Sequence, residues 1–438
     1  MHHPLSDQSA PPRVYRDTAP PPPPTTPLHR SSNVDVVIIG AGFTGLSTAL
    51  HLAEAGVSTM VLEAKQIGWG ASGRAFGQVV PYLKRGHDAI LRQYGRDGQR
   101  IIGGVGQGPS LVFELIDKYG MDIWTERSGL LFAAHSPSGR RGLEERTAYW
   151  QQSGAPVEML YGYRCANLVG SSLYIAASLD RRGGNLNPLA YARGLAQAAI
   201  GAGATIHTDT PVTALRRNGA LWWIEAGPYD LVADTVVIAT NAYSHDLFPG
   251  LRESIIPVRG HGFVSEPLSD NQRRSILPDR QSLTDTRHLF SGVRVLPDGR
   301  LHASAHGPLF GREQAADSRR VAARISRLYP HLGSLRWSEG WSGWVAMTID
   351  QFPRLHELAP GVFAALGCNG RGIAVATMLG RDLAALVCEG ADAETVFPIV
   401  PLRPLRWHRI APLLVRGLAQ VYRLHDIIDE MRFLRPSR

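Results

Sequence analysis

Cysteine, lysine and long apolar runs are all scarce in this 438-residue chain. Cys165, Cys368 and Cys388 lie far apart without a CxxC pair, which excludes a disulfide framework and argues against a zinc or iron–sulfur site. No apolar run reaches the roughly eighteen residues of a membrane-spanning helix. The N-terminus also lacks the apolar stretch of a secretory signal. These absences predict no metal centre and a cytoplasmic location, where cysteines stay reduced.

The positive charge of the chain is not organised for nucleic acid. Its net charge is +8 and its pI about 9.6. Lysine contributes only Lys65, Lys84 and Lys118, and the arginines are spread along the chain. No zinc finger, recognition helix or aromatic-basic RNA-binding motif accompanies them. A diffuse arginine excess is typical of a solvated surface, so no nucleic-acid partner is predicted.

The first 32 residues contain nine prolines, including an unbroken run at positions 20–24. Proline fixes φ and removes a backbone donor, which argues against a packed helix or a central strand in this segment. Two interpretations remain open: a floppy tail, or an extended arm anchored to the body by Tyr15 or Leu28.

A regular pattern begins at residue 34. Positions 34–39 form an apolar, β-branched run typical of a buried parallel strand, and Gly40, Gly42 and Gly45 follow it. Apolar residues at helical spacing predict a helix to about residue 56. A second strand is expected over 57–63, ending at Glu63, 23 positions after Gly40. This order is the fingerprint of a dinucleotide-binding βαβ unit.

Each residue of that fingerprint has a physical role. Gly40 permits the tight turn, Gly42 lets a pyrophosphate approach the backbone, and Gly45 lets the helix pack close to the strand. The helix N-terminus offers free N–H groups and a positive dipole end to the phosphates. Glu63 is expected to accept hydrogen bonds from the adenosine ribose.

Two further glycine-rich segments favour a flavin over a nicotinamide dinucleotide. Residues 67–81, IGWGASGRAFGQVVP, run directly on from the second strand, where nicotinamide enzymes normally continue into another helix. A glycine-rich backbone can lie flat against a large planar ring. The turn 367–372, GCNGRG, opens a predicted helix over 373–387, whose N-terminus suits the electron-rich pyrimidine end of a reduced flavin. The sequence therefore predicts a single FAD.

Later elements predict an interrupted nucleotide domain. A helix is expected over 189–202, and strands over 204–207, 212–215, 221–225 and 229–240. These strands lie far along the chain from the first βαβ unit, so a second domain is inserted between the pieces. The C-terminal segment from Pro401 holds eight arginines and three acidic residues.

The apolar residues of this C-terminal segment fall at helical spacing: Ile410, Leu413, Leu414, Leu418, Val421 and Ile428. Core packing of the helix against the body is the first interpretation. A basic amphipathic helix on a membrane surface is the alternative.

Seven stretches occur in an order that points to a known family: DVVIIGAGFTGLSTALHLAEAG, GWGASGRAFGQVVP, RRGGNLNPLAYARGLAQAA, VVIATNAYS, TDTRHLFSGVRVLPDGRL, WSGWVAMTIDQFPRL and GCNGRG. Between residues 18 and 381 the chain resembles the D-amino-acid-oxidase-like FAD-dependent oxidoreductases. It is most similar to their γ-glutamylputrescine oxidase-like subgroup, which is related to sarcosine and glycine oxidases. The resemblance implies an α/β fold: a discontinuous Rossmann-like FAD-binding domain with an inserted substrate domain built on a large mixed or antiparallel sheet.

The resemblance also implies domain boundaries and cofactor contacts. The segments are a proline-rich arm at 1–32, FAD-binding parts at 33–95, 185–250 and 335–395, substrate-domain parts at 96–184 and 251–334, and a basic helical tail at 396–438. The residues expected to contact FAD are Gly40, Gly42, Phe43, Thr44, Gly45, Glu63, Ala64, Ser72, Gly73, Arg74, Gly77, Gln78, Val212, Thr240, Gly370, Arg371, Gly372 and Ile373.

The chain departs from the family pattern in three places. Ala75 and Phe76 stand where the subgroup usually has Asn-Gly, on the flavin side. The segment 343–345, Gly-Trp-Val, lacks the cysteine that attaches FAD in some relatives, so the FAD should be noncovalent. Ala374 replaces a lysine that holds the substrate carboxylate in sarcosine-type enzymes, which argues against a small α-amino acid as substrate.

The implied activity is oxidation of a C–N bond in an amine or amino-acid-type substrate. Hydride passes to flavin N5, the imine hydrolyses, and O2 or another acceptor reoxidises the flavin. Candidate catalytic residues are His302, Arg74 and Trp344, with Trp341 as a second aromatic wall for an ammonium group. A cationic His302, near the place of an oxygen-activating lysine in sarcosine-type enzymes, would stabilise superoxide-like charge.

Each candidate has a plainer alternative. His302 is otherwise an ordinary strand histidine, Arg74 a structural ion pair, and the tryptophans core residues. Two other functions also remain open: a membrane-surface amine or amino-acid dehydrogenase that feeds quinone through the C-terminal helix, and a flavin domain that modifies tRNA. Tight RNA binding with a steep salt dependence would mark the last of these.

Overall fold

The computed structural model describes residues 10–288, 290–306 and 314–434. Its α-helices are α1 (Arg13–Arg16), α2 (Phe43–Glu54), α3 (His87–Tyr94), α4 (Arg96–Lys118), α5 (Pro137–Gln152), α6 (Gly162–Val169), α7 (Pro188–Gly201), α8 (Asp270–Ser275), α9 (Gln314–Leu328), α10 (Gly372–Glu389) and α11 (Ala411–Leu434).

The β-strands of these residues are β1 (Ser32–Ile39), β2 (Thr59–Leu62), β3 (Gln78–Val79), β4 (Thr125–Glu126), β5 (Leu130–Ala134), β6 (Val157–Tyr161), β7 (Ala176–Asp180), β8 (Gly184–Leu186), β9 (Thr205–His207), β10 (Val212–Asn218), β11 (Leu221–Ala226), β12 (Tyr229–Ile238), β13 (Ile256–Pro267), β14 (Ser282–Asp285), β15 (Phe290–Val295), β16 (Arg300–His306), β17 (Trp337–Met347), β18 (Arg354–Ala359) and β19 (Val362–Leu366).

The described residues fall into two compact units, each assembled from three stretches of chain. Unit 1 comprises 10–124, 187–257 and 344–408, and unit 2 comprises 125–186, the described part of 258–343, and 409–434. The expected limits differ at 251–257, found in unit 1, at 335–343, found in unit 2, and in the tail, which divides between the units after residue 408. The largest difference is at 96–124, which belongs to unit 1. The reason is that the buried face of α4, which includes Ile101, Val105 and Val112, packs against α10.

The sheet of unit 1 is parallel at its centre. The order β19-β12-β1-β2-β9 is parallel throughout, while β11 and β10 extend it from β12 in antiparallel fashion and β18 pairs antiparallel with β19. The expected helix and strand types are correct here. Several ends differ: the strand expected at 57–63 spans only Thr59–Leu62, and the helix expected to residue 56 ends at Glu54.

Helices α2, α7 and α10 pack together in unit 1. Ser47 donates its hydroxyl hydrogen bond to the Thr377 carbonyl at 2.8 Å, which ties α2 to α10. The buried hydroxyls of Tyr191 and Thr377 lie 3.1 Å apart and link α7 to the same point. The starts of α2 and α10 therefore belong to one rigidly packed group of helices.

The N-terminal segment from residue 10 lies on unit 1 as an arm, which confirms the second of the two interpretations. Tyr15 is buried and donates a hydrogen bond to the Ala75 carbonyl at 2.9 Å. Leu28 is buried in the hydrophobic core beside β12. The expectation of no packed helix was wrong for one turn, α1, which forms because Tyr15 gains this buried position. Positions 1–9 lie outside the described residues.

Unit 2 is built on an eight-stranded mixed sheet in the order β17-β13-β16-β15-β14-β5-β7-β6. Strands β14 and β5 are parallel, and the pairs β13–β16, β14–β15, β15–β16, β5–β7 and β6–β7 are antiparallel. Helix α9 covers part of this sheet, where Val321, Ile325 and Leu328 join the core of Phe263 and Leu301. This arrangement agrees with the large mixed sheet expected for a substrate domain.

The C-terminal segment is helical as predicted, but its predicted core packing is wrong. In α11, Leu413, Leu414, Leu418 and Val421 are exposed, as is Ile410 just before it. The contacts with unit 2 come instead from a polar edge, where Asp426 bonds His288. Among the helices of the described residues, none has both the length and the apolar content needed to cross a bilayer.

Candidate functional site

The turn between β1 and α2 can be built only with glycine at two positions. Gly40 has φ +108°, a backbone conformation that side chains disfavour. A Cβ on Gly45 would lie 2.0 Å from the Gly40 carbonyl oxygen, far inside van der Waals contact. The sequence forces α2 to begin directly against the end of β1, which is the geometry that brings a helix N-terminus to a phosphate.

The N-terminus of α2 is open to a ligand. Its N-cap residue is Gly42, which has no side chain that could cap the helix. The Phe43 N–H donates to Ser72 Oγ at 3.0 Å, which joins this turn to the loop that follows β2. Around the missing Cβ of Gly42 the only atoms within 4 Å belong to Ser72. The N–H groups of the first turn that Ser72 does not bond form an anion cradle, which the absence of a side chain at Gly42 leaves approachable.

Glu63 closes the cradle on the β2 side. Its Oε2 accepts the Ala41 N–H at 2.8 Å and its Oε1 accepts the Lys65 N–H at 2.9 Å. Burial raises the pKa of this carboxyl, and the two backbone hydrogen bonds oppose that rise. An ionised carboxylate oxygen can accept more than one hydrogen bond, so both oxygens remain able to accept ribose hydroxyls.

Val212, the expected adenine contact, directly follows the segment 207–210, which is hydrogen-bonded to Glu63. The Glu63 N–H donates to the His207 carbonyl, and the Thr210 N–H donates to the Glu63 carbonyl at 2.8 Å. Val212 is buried at the start of β10. Ala64 follows Glu63 directly, so these expected contacts fall in one neighbourhood of unit 1.

Arg74 is a buried cation held on aromatic rings. Its guanidinium lies over the Trp69 ring at 4.8 Å, and Nη1 donates to the Gly70 carbonyl at 2.9 Å. Burial lowers the pKa of Arg74, and a hydrogen bond with Tyr243 opposes that change. This aromatic and carbonyl environment holds the guanidinium in place. Arg74 thereby fixes the loop that also carries Ser72, Gly73, Gly77 and Gln78.

Tyr243 ties a second candidate to the same cluster. The Trp344 N–H donates to the Tyr243 hydroxyl at 3.4 Å, and the Trp344 side chain packs on the core of unit 1. Tyr243 and Trp69 meet edge to face, with ring centroids 6.3 Å apart. Thr240, at the end of β12, shares a hydrogen bond with Ser244 at 2.7 Å. Arg74, Trp344 and Thr240 are therefore all close to one 3-10 turn, 241–243.

The start of α10 is a second open helix end. No side chain caps it at Arg371, and Gly370, Gly372 and Ile373 surround that position. The preceding turn is held by amides: Asn369 Oδ1 accepts the Thr348 N–H at 2.9 Å, and Asn241 Oδ1 accepts the Gly367 N–H at 3.1 Å. Burial raises the pKa of the Cys368 thiol, which leaves it protonated and unreactive.

Two cations stand at this end of unit 1. The Arg371 guanidinium lies over the Tyr82 ring at 5.2 Å. Burial and, to a smaller extent, the charge of Arg371 together lower the pKa of Lys84 to about 8. Lys84 is nevertheless exposed to solvent. Lys84 and Arg371 are thus two interacting positive charges in unit 1, which favours a bound anion there.

His302 lies in unit 2 and does not have the predicted charge. It is fully buried on β16, with its ring 5.0 Å from that of Trp341 and with Arg294 Nε donating to its Nδ1 at 3.4 Å. Burial lowers the pKa of His302 well below 6.5, and the charge of Arg294 adds to this effect. The imidazole is therefore neutral at physiological pH, which contradicts the expected cationic form.

Several residues of the site were missed by sequence reasoning. Tyr243 and Asn241 lie in the stretch VVIATNAYS, which carries the family resemblance but gives no sign of which side chains turn toward the loops at 70–78 and 367–372. Lys84 follows the glycine-rich segment 67–81 and carried no motif. No group of three or more metal-ligating side chains occurs among the residues that the structure describes.

Unit 1 fits FAD on these observations. The Gly42 cradle suits a pyrophosphate, Glu63 suits ribose hydroxyls, and the positive end of α10 suits the electron-rich part of a flavin. Each of these features lies in one unit, which holds every expected FAD contact.

The chain is similar to flavoenzymes along most of its length. The family described as "FAD dependent oxidoreductase" (DAO) matches residues 35–386. Gamma-glutamylputrescine oxidoreductase of Escherichia coli K12 is 31% identical over 405 residues, covering 91% of this chain and 94% of that protein. Glycine oxidase of Geobacillus kaustophilus is 26% identical over 380 residues, covering 84% of this chain and 95% of that protein.

Solved structures agree with the fold. The crystal structure of glycine oxidase from Geobacillus kaustophilus superposes with a TM-score of 0.70 at 24% identity, covering 83% of this chain and 96% of that one. L-α-glycerophosphate oxidase from Mycoplasma pneumoniae, solved with FAD bound, has a TM-score of 0.67 at 14% identity, covering 84% of this chain and 99% of that one. With FAD as the family's cofactor, the chain belongs to the DAO family of FAD-dependent oxidoreductases.

Proposed function

We propose that this protein oxidises the C–N bond of an amine that also carries a carboxylate, with γ-glutamylputrescine as the leading candidate. The observation that carries the proposal is the pairing, in unit 1, of an FAD cradle with two cations, the exposed Lys84 and the half-buried Arg371. The 31% identity to a gamma-glutamylputrescine oxidoreductase supports the substrate class. Ala374, in place of a carboxylate-binding lysine, argues for a longer substrate than a small α-amino acid.

FAD, when bound, supplies a two-electron acceptor for hydride from the amine carbon, and O2 or another acceptor then removes the electrons. The protein's own residues bind and orient. The start of α2 and Glu63 would hold the ADP half, and the loop fixed by Arg74 and Trp69 would lie against the ring system. Trp344 is proposed as an aromatic wall for the amine, which must lose its proton before it reacts.

The Lys84 and Arg371 pair is proposed to hold the substrate carboxylate. Arg371 is held over Tyr82, so its position is defined, and its charge is permanent. Lys84 is charged below its pKa of about 8 and neutral above it. When both cations bind the carboxylate, the length of the substrate decides how far from them its distal amine lies. Such positioning suits an extended substrate.

The test is an anaerobic screen in which amines are mixed with the purified holoprotein and loss of the visible flavin absorption is followed. We expect γ-glutamylputrescine to bleach the flavin faster than putrescine, because only the first offers a carboxylate. If polyamines, glutamylated polyamines and secondary amino acids all leave the spectrum unchanged, the proposed substrate class is wrong. Acid precipitation should release the yellow colour into the supernatant; colour that stays in the pellet would contradict noncovalent attachment.

A further inference from the structure

Helix α11 exposes an apolar surface that unit 2 does not cover. Six residues form this outer stripe, with 46% to 65% of their surface exposed. They are Leu413, Leu414, Leu418, Val421, Leu424 and Ile427. At 3.6 residues per turn these positions occupy one half of the helix circumference, along a helix of roughly 36 Å. Scattered exposed apolar residues are ordinary, but a continuous stripe of this length marks an interaction surface.

The opposite half of α11 contacts unit 2 through polar and aromatic groups. Asp426 bonds His288 Nδ1 at 2.8 Å, and the Tyr422 ring stacks on the His288 ring with centroids 4.6 Å apart. Ser138 donates to Asp429 at 3.4 Å. The helix is therefore held by its polar edge, and this fixes the outer stripe toward the surface.

The charges of α11 are sorted in the same way. Among its described side chains the carboxylates are Asp426 and Asp429, and both contact unit 2. By helical spacing the exposed Arg416 and the half-buried Arg423 lie along one edge of the outer stripe, and the exposed Arg409 lies just before the helix. Among the described side chains, the outer stripe therefore carries no acidic group, and the arginines line one of its edges. A partner that fits must be apolar at its centre and anionic at its edge.

We propose that the outer stripe of α11 binds an anionic phospholipid surface, with the helix lying in the plane of the headgroups. The leucines enter the boundary between headgroups and acyl chains, and the arginines contact lipid phosphates. An antiparallel second copy of α11 would bring the two arginine edges together beside the stripe, and their repulsion disfavours it as the occupant. The proposal does not depend on the substrate, since no residue of the FAD cradle takes part.

The test is co-sedimentation of the full-length holoprotein with vesicles. We expect binding to phosphatidylcholine vesicles that contain about one-third phosphatidylglycerol, weak binding to pure phosphatidylcholine, and release at high salt. The double variant Leu413→Gln/Leu424→Gln should bind at least roughly tenfold more weakly, because glutamine loses the gain from burying each leucine. Arg416→Gln should weaken binding roughly fivefold at low salt.

The matched control is Leu173→Gln/Leu221→Gln, which replaces two leucines of similar type exposed at 36% and 37% elsewhere on the surface. It should bind vesicles like the unmodified protein. Flavin content and amine bleaching, measured on every variant, report folding and the proposed function separately from vesicle binding. No sedimentation with anionic vesicles, or equal sedimentation of both double variants, would overturn the proposal. So would a dimer, seen by analytical ultracentrifugation, that the Leu413→Gln/Leu424→Gln change abolishes.

Discussion

The two open helix ends of unit 1 are held in shape by different means. At the start of α2 the constraint is backbone contact, with the Gly45 position pressed against the Gly40 carbonyl. At the start of α10 it is a set of side-chain amides, Asn369 and Asn241, which bond backbone groups far away in sequence. The shape of the first end is therefore determined by six adjacent residues, 40–45. The shape of the second end depends on residues that only the folded chain brings together.

Gly45→Ala should have the largest effect of any single change at these two ends. The new methyl would overlap the Gly40 carbonyl oxygen at 2.0 Å, so α2 must move away from β1. We expect a loss of more than about 4 kcal/mol of unfolding free energy, together with colourless purified protein. Chemical denaturation and the ratio of flavin to protein absorption measure both.

Gly103→Ala is the matched control for this change. Gly103 lies inside α4, where a Cβ would meet no neighbouring atom within 4 Å. Its φ is not positive, so the backbone accepts alanine. Alanine there should stabilise the helix by about 0.5–1 kcal/mol and leave the flavin in place. Equal loss of flavin in both variants would show that the close contact at Gly45 is not the cause.

Asn369→Ala should break the start of α10 with a smaller effect. It removes the acceptor of the Thr348 N–H. It also leaves alanine at φ +51°, a left-handed backbone angle that asparagine tolerates better. We expect about 2–3 kcal/mol of destabilisation and weaker FAD binding. Asn369→Gly separates the two causes, because glycine accepts the backbone angle but cannot accept the hydrogen bond. If Asn369→Gly restores full stability, the amide network contributes nothing and the contrast between the two ends fails.

Glu63→Gln tests the first end without disturbing its backbone contact. In glutamine an NH2 donor replaces one of the two acceptor oxygens. This donor then faces either the Ala41 N–H or the Lys65 N–H, which has lost its acceptor. We expect FAD to bind about 1.5–2 kcal/mol more weakly, or roughly ten- to thirtyfold, by fluorescence titration of the apoprotein. Glu114→Gln, at an exposed position of α4, should leave the affinity unchanged. An unaltered affinity in Glu63→Gln would remove Glu63 from the ribose site.

The smallest expected effect is the pH dependence of substrate preference that Lys84 causes. It tests whether a carboxylate binds near the start of α10. The Lys84 pKa of about 8 means that its charge, and with it the attraction for a carboxylate, is present below that pH and lost above it. The ratio of kcat/KM for γ-glutamylputrescine to that for putrescine should fall by roughly fivefold from about pH 7 to about pH 9. Lys84→Met should abolish this dependence, whereas Lys118→Met, at the end of α4, should keep it. A ratio that does not vary with pH in the unmodified protein rules out carboxylate binding at Lys84.

The difference between the two ends also explains what could be predicted from the sequence. The βαβ unit and Glu63 follow from local spacing, because strand, turn and helix there are consecutive and each glycine has a steric reason. Tyr243 and Asn369 could not be assigned, since their partners are set by long-range packing. The charge of His302 was predicted wrongly for the same reason: burial beside Arg294 and Trp341 is invisible in a strand sequence. Likewise, the apolar spacing of α11 predicts a helix but not whether another element covers it.

The central claim is that the start of α2 binds the diphosphate and Glu63 the ribose of FAD. Its most direct test is titration of the apoprotein with FAD and, in parallel, with FMN, which carries the same ring but lacks the ADP half. Tight binding of FAD with binding of FMN at least roughly a hundredfold weaker is the predicted result, given the charge-assisted hydrogen bonds that only FAD can make there. Equal affinity for both flavins, or no uptake of either, would contradict the account.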